Sequence, residues 1–197
     1  MSFLTIVDYN FKNELEHGVY VSRLSREIAL ELGLDDGTVR NIGIAGILHD
    51  IGKLSLMSYL NDEGKEPLVI EQMKYVRLHP EFSFKTVRAC GYSEEIQNCV
   101  RWHHENYDGT GYPDSLAGED IPIGARIIRV SDVYAALTSD RPYRKSFDPD
   151  TAMELMIEEI AHFDMDVFLA FQRVIHKNKE LYNKPLPIES GDLNLND

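Results

Sequence analysis

The stretch Ala45-Gly-Ile-Leu-His-Asp-Ile-Gly-Lys-Leu54 decides how the rest of the chain is read. His49 and Asp50 stand side by side at the end of an apolar segment, and Lys53 follows about a helical turn later. An imidazole and a carboxylate on a greasy element need partners, because burying such groups unpaired costs several kcal/mol. A metal ion is one such partner, since both are N/O ligands of borderline or hard character. A chance pair or a local hydrogen bond would explain the dipeptide as well. Its meaning depends on what the remainder of the chain supplies.

Upstream, residues 11–33 predict an amphipathic helix with Leu15, Val19, Leu24, Ile28 and Leu32 near helical spacing and Gly33 as a left-handed stop. His17 lies on this helix beside the apolar face. Asp35 and Asp36 cap a second helix, from about residue 38 to 48, that delivers His49 and Asp50. Gly43 and Gly46 lower its helicity and point to close approach by a neighbouring helix. Gly52 reads as a break or tight turn.

Downstream, residues 61–67 form a polar loop and 69–78 a helix. His79 opens the next helix, with Pro80 at a favourable first-turn position and the helix continuing from 81 to 90. Ser93, Glu94 and Glu95 start another, which ends at His103-His104. Glu105-Asn-Tyr-Asp-Gly-Thr-Gly-Tyr-Pro113 is a loop dense in functional groups. Pro122 opens a helix through about Thr138, and Asp132 sits within it among Ile127, Val130 and Leu137. A carboxylate there is costly unless it is ion-paired or metal-bound. The basic patch Ser139–Lys145 follows. Helices at 150–161 and 165–182 read as packing elements, with Met153, Met156, Phe163, Phe168 and Phe171 in the core. His162 and His176 lack the flanking pattern and stay outside the site.

The expected fold is all-α: a helical bundle forming a single domain over residues 1–183, with 184–197 a flexible tail. The 43% hydrophobic content suits a globular chain, and a net charge of -13 opposes nonspecific contact with nucleic-acid polymers or anionic membranes. A phosphate ligand stays compatible with that charge, because metals and a few arginines can dominate locally. No apolar run approaches the roughly 18 residues needed to span a bilayer. Cys90 and Cys99 read as reduced core residues of a cytoplasmic protein. A homo-oligomer is compatible with all of this.

Together His17, His49, Asp50, His79, His103, His104 and Asp132 give five imidazoles and two carboxylates. Such a set suits two divalent transition metals, Fe, Mn or Zn, better than oxygen-preferring Mg or Ca.

From about residue 14 to 171 the chain resembles the HD-GYP subgroup of the HD metal-dependent phosphohydrolases. The resemblance rests on His49-Asp-Ile-Gly-Lys53, His79-Pro-Glu, His103-His-Glu-Asn-Tyr-Asp-Gly-Thr-Gly-Tyr-Pro113 and Ser131-Asp-Val-Tyr-Ala-Ala-Leu-Thr-Ser-Asp-Arg-Pro-Tyr-Arg144. It implies an HD-type helical bundle that hydrolyses cyclic di-GMP to pGpG, with cleavage on to GMP left open. By motif match, His17, His49, Asp50 and Asp132 hold one metal, Fe or Mn first and Zn as an option. Asp50, as a bridge, holds the second with His79, His103 and His104. A hydroxide shared by the two metals is the implied nucleophile. Lys53 contacts the phosphate or the hydroxide, Arg141 and Arg144 bind phosphate, and Gly111, Tyr112 and Pro113 shape the loop beside the substrate. Glu105 and Asp108 are expected to orient the histidines.

The pattern departs from the family at three places. Members with three metals carry Glu where Asn13 stands, so two metals are expected, with Glu14 pointing elsewhere on the helix. Ala135 replaces a usual Asp, and Ser83 replaces a frequent Gly, the latter expected to matter little. Three alternatives remain beside the phosphodiesterase reading: a catalytically weak cyclic-dinucleotide receptor, a hydrolase of another nucleotide phosphate, and a di-iron oxygenase.

Overall fold

The computed structural model describes residues 11–54, 76–140, 144–178 and 182. Among the described residues seven helices follow in order: α1 (Phe11–Glu31), α2 (Asp36–Leu48), α3 (His79–Ala89), α4 (Glu94–Trp102), α5 (Ile123–Thr138), α6 (Pro149–Glu158) and α7 (Met165–Lys177). Short 3-10 turns lie at Gly118–Asp120 and Ile160–His162. The described elements are all helical, as the periodicity predicts. The expected 61–67 loop and most of the 69–78 helix fall outside the described residues.

In α1 the buried stripe is His17, Val21, Leu24 and Ile28, whose spacing of four, three and four keeps one face inward. Val19 lies off that stripe and is exposed, contrary to the sequence expectation, while Tyr20 is buried. His17 is thus the polar end of an apolar stripe. Gly33 adopts φ 74°, and Leu34 donates its N–H back to Ala29, which ends the helix.

Helix α2 starts on the Asp35 side chain, which accepts from the N–H groups of Gly37 and Thr38. It runs antiparallel to α1 and very near it: a Cβ on Gly46 would stand 2.8 Å from the Ser22 Cα. The close approach expected of this glycine is there. Helix α5 lies centrally, packed on α1, α2, α4, α6 and α7. Ile127, Ile128 and Val130 are fully buried, and each such side chain stabilises the fold by roughly 1.5–3 kcal/mol. That burial carries Asp132 into the middle of the bundle.

Ser93, Asp148 and Asp164 cap α4, α6 and α7. Asp164 also takes an ion pair from Arg126, tying α5 to the start of α7. Met156, Phe163, Phe168 and Phe171 are buried as expected, with Met153 packed at the edge of the core. The last long helix ends at Lys177, short of residue 182. Cys99 is buried, but Cys90 is exposed at the C-terminal cap of α3, so it is not a core residue.

Candidate metal centre

Four of the five nominated histidines sit where helices begin or end, and this has a physical reason. The last carbonyls of a helix have no partner within it. His49 ends α2 and its Nδ1 lies 2.8 Å from the Gly46 carbonyl; His103 ends α4 with Nδ1 2.7 Å from the Val100 carbonyl. His79, at the start of α3, repeats the contact with the Val76 carbonyl at 2.6 Å. A carbonyl can only accept, so each Nδ1 carries the proton and each Nε2 turns inward.

The inward atoms converge. His79 Nε2 lies 3.2 Å from the Nε2 atoms of both His103 and His104. The donor atoms of Asp50, His79, His103 and His104 all lie within 4.8 Å of one another, and so do those of His17, His49 and Asp132. Asp50 joins the two sets, with Oδ2 3.2 Å from His49 Nε2 and Oδ1 3.0 Å from His79 Nε2. His17 Nε2 meets Asp132 Oδ1 at 2.9 Å, across 115 positions of sequence. All seven nominated ligands are therefore in one place.

These groups satisfy one another only in part. Asp50 Oδ1, His49 Nε2 and His17 Nδ1 are buried without a hydrogen bond among the described residues. Lone pairs aimed at lone pairs call for cations, and imidazole with carboxylate is the chemistry of a divalent transition-metal site. The cluster is suited to hold such metals.

The electrostatics agree. Burial, reinforced by neighbouring imidazoles, pushes His103 well below the usual histidine range, and burial takes His104 to about 3. Both rings stay neutral with free lone pairs. Burial would pull His49 down too, but Asp50 and Asp132 outweigh it and raise it to about 10. Burial would raise Asp50, yet His49 and Lys53 hold it well below the carboxylate range; His17 and His49 do the same for Asp132. Positive charge is thus favoured at the centre, whether it arrives as a proton or a metal.

Lys53 Nζ donates to Asp50 Oδ2 at 2.6 Å and to Glu14 Oε2 at 3.2 Å. The expectation that Glu14 points away is corrected: it faces the site and holds its lysine. Gly52 is also not a turn-maker. It lies in a helical turn where a Cβ would stand 2.3 Å from the His79 carbonyl oxygen, and its N–H donates to Ser83 Oγ at 2.8 Å. Ser83 is consequently a link between the Asp50 segment and α3. A small hydroxyl after the His-Pro motif was the only sequence signal for it.

The loop after the histidine pair is built around Glu105, which is buried and accepts from the N–H groups of Asp114 and Leu116. Asp108 binds Thr110, with its other oxygen 3.9 Å from His162. Neither acid reaches a nominated ligand, so both shape the loop instead of orienting histidines. Tyr112 donates its N–H to the His104 carbonyl at 3.1 Å and stacks on the His104 ring with centroids 4.8 Å apart. Gly111 is needed next to it, since a Cβ there would lie 2.3 Å from the Asn106 nitrogen. Pro113 is exposed on the same loop.

Arg141 lies outside the described residues. Arg144 donates to the carbonyls of Ala136, Leu137 and Lys145 and covers the Phe147 ring. Its guanidinium closes the end of α5, and none of these contacts is with the ligand cluster. Ala135 is fully buried in the core, where an aspartate would meet apolar neighbours.

The HD domain family model matches residues 4–167. The chain belongs to the HD domain family. This HD domain is 42% identical over 161 residues to a protein of Pseudomonas aeruginosa named a cyclic di-GMP phosphodiesterase, covering 81% of this chain and 38% of that one. It is 39% identical over 137 residues to the cyclic di-GMP phosphodiesterase response regulator RpfG of Xanthomonas campestris, covering 68% and 35%. It is 32% identical over 187 residues to 3'3'-cGAMP-specific phosphodiesterase 1 of Vibrio cholerae, covering 92% and 42%. The chain spans well under half the length of these curated relatives. Among solved structures, an HD-GYP-type protein of Bdellovibrio bacteriovorus shares the fold at a TM-score of 0.67 and 20% identity, covering 86% of this chain and 55% of that one. The HD domain of the phosphodiesterase PgpH of Listeria monocytogenes matches at 0.62 and 16%, covering 86% and 93%. No described helix is long and apolar enough to cross a membrane.

Proposed function

We propose that this HD domain is the hydrolytic unit of a cyclic-dinucleotide phosphodiesterase, opening cyclic di-GMP to linear pGpG. The observation that carries the reading is Asp50, whose two oxygens face His49 on one side and His79 on the other. That is how a carboxylate shared by two ions would stand. One ion would be held by His17, His49, Asp50 and Asp132, the other by Asp50, His79, His103 and His104, with Fe or Mn favoured by the family resemblance and Zn as an alternative that imidazole suits equally. Bound there, two such ions supply hydroxide near neutral pH and offset charge building at phosphorus.

The chain's own groups do the remainder. Lys53, charged and fixed at Asp50, offers an ammonium to a phosphate oxygen. Asp50 and Glu14 outweigh the burial that would lower its pKa, so it keeps its proton. His103 and His104 are kept neutral and present lone pairs. The Tyr112 ring, stacked on His104, sets an aromatic wall at the edge of the centre where a sugar or base can lie. A receptor that had lost its chemistry would be expected to lack ligands, and all seven positions are filled. The free thiols of Cys90 and Cys99 fit a reducing, cytoplasmic setting.

A second reading has a specific basis. The Vibrio relative, matched over 92% of this chain, is named for 3'3'-cGAMP, so the hybrid dinucleotide is the competing substrate. Metal-replete protein, loaded with Mn or with Fe(II) under anaerobic conditions, would be given each dinucleotide and the products separated by chromatography. Linear product that disappears in Asp50→Ala supports the phosphodiesterase reading, and the ratio of rates chooses the substrate. Tight nucleotide binding by the metal-loaded protein without cleavage of either would sink it.

A further inference from the structure

The phosphate partners that motif matching nominates do not include Arg129, yet this residue stands beside the ligand cluster. It lies on α5 three positions before Asp132, so the two share a helix face. Its Nε donates to the Asn106 Oδ1 at 3.0 Å, and Asn106 is buried two residues past His104. Asn106 is itself held by its bond to Thr110. The guanidinium is thereby anchored by one nitrogen to the loop that carries the histidine pair. It is half-buried, and no carboxylate pairs with it among the described residues. The same loop lays the Tyr112 ring on that of His104. On the other side, Arg77 stands over the Tyr112 ring at 5.3 Å. A half-buried guanidinium that no carboxylate pairs with among the described residues, tethered to the loop that carries the histidine pair, is a place for an anion.

We infer that Arg129 binds the substrate phosphate, its two terminal nitrogens forking onto non-bridging oxygens while Nε stays on Asn106. This rests on the phosphodiesterase reading and adds a phosphate-binding residue to it. A planar fork held at its inner nitrogen is pre-organised for two oxygens in a way that an ammonium is not. Arg144, occupied at the end of α5, is unsuited to the same work.

The test uses the manganese-loaded protein and inorganic phosphate as the probe, with affinity read by titration calorimetry. Metal content and thermal melting are recorded for every variant. Arg129→Ala should weaken phosphate binding roughly ten- to hundredfold, with manganese stoichiometry unchanged. Arg129→Lys should keep part of the affinity, and Asn106→Ala should cost less than about threefold, because the cation stays in place. With cyclic di-GMP, Arg129→Ala should raise KM in step with the loss of phosphate affinity. Wild-type affinity in Arg129→Ala overturns the inference. So does an equal loss in Asn106→Ala, which would make Arg129 a brace for the loop. Should Arg129→Ala fail to fold, Arg129→Gln and Arg129→Lys carry the same comparison. An Arg129-dependent phosphate affinity in a protein that cleaves neither dinucleotide leaves Arg129 as a phosphate ligand and sinks the substrate assignment instead.

Discussion

The backbone N–H of Gly52 donates to the Ser83 hydroxyl at 2.8 Å, which fastens the segment carrying Asp50 to the helix that begins with His79. Both residues are buried, and Gly52 lies so near α3 that a Cβ would meet backbone atoms at 2.3 and 2.4 Å. Backbone cannot swing aside as a side chain can. Gly52→Ala should therefore cost about 2–3 kcal/mol through overpacking and weaken metal retention by parting Asp50 from His79. Ser83→Ala should cost about 1–3 kcal/mol, since a buried N–H loses its acceptor. Urea unfolding with a manganese count per chain checks both. Wild-type stability in Gly52→Ala would refute the close packing.

Glu14 and Lys53 make a separable prediction. Their side chains keep 20% and 26% exposure, so the ion pair adds at most about 1 kcal/mol to stability. Its role is to hold the lysine at Asp50. Glu14→Gln should leave the melting temperature nearly unchanged while lowering kcat several-fold, and Lys53→Ala should lower it further. A loss of stability without a loss of rate would make Glu14 merely structural.

Acid should destabilise the metal-free protein well before its carboxylates titrate. His103 and His104 have folded-state pKa values depressed below the unfolded value, His104 to about 3. Between that value and about 6.5 the unfolded chain binds more protons, so stability falls as pH drops through this window. Each such histidine contributes about 1.4 kcal/mol per pH unit. His49 has the opposite sign: its contribution is complete below about 6.5 and is lost as pH rises toward 10. The Asp50 and Asp132 contributions persist until pH falls below the ordinary carboxylate range. Urea midpoints at pH 5 and pH 7 test this, and equal values would contradict it.

Arg144 gives a test of stability against binding. It donates to three backbone carbonyls and lies 4.5 Å over Phe147. Arg144→Ala should lower stability by about 1–3 kcal/mol, visible as a melting shift of several degrees. A changed KM at an unchanged melting temperature would instead restore the phosphate role its motif suggests.

Much of this protein is decided locally and is legible in the sequence. Asp35, Ser93 and Gly33 end or begin helices through contacts within a few residues. His49 and His103 are aimed by carbonyls three positions earlier, so placing them at helix ends already says which nitrogen faces inward. The residue types at the seven ligand positions carry the chemistry whatever the packing. What only the tertiary structure decided is which groups meet across the bundle. His17 reaches Asp132 because the α1 stripe and the central α5 bury against each other. Glu14 turns to Lys53, Ser83 catches Gly52, Arg129 settles on Asn106, and Arg144 is drawn to the end of α5. Those outcomes depend on helix separations and crossing angles, which are set by the packing of many side chains at once and are not encoded in any one motif.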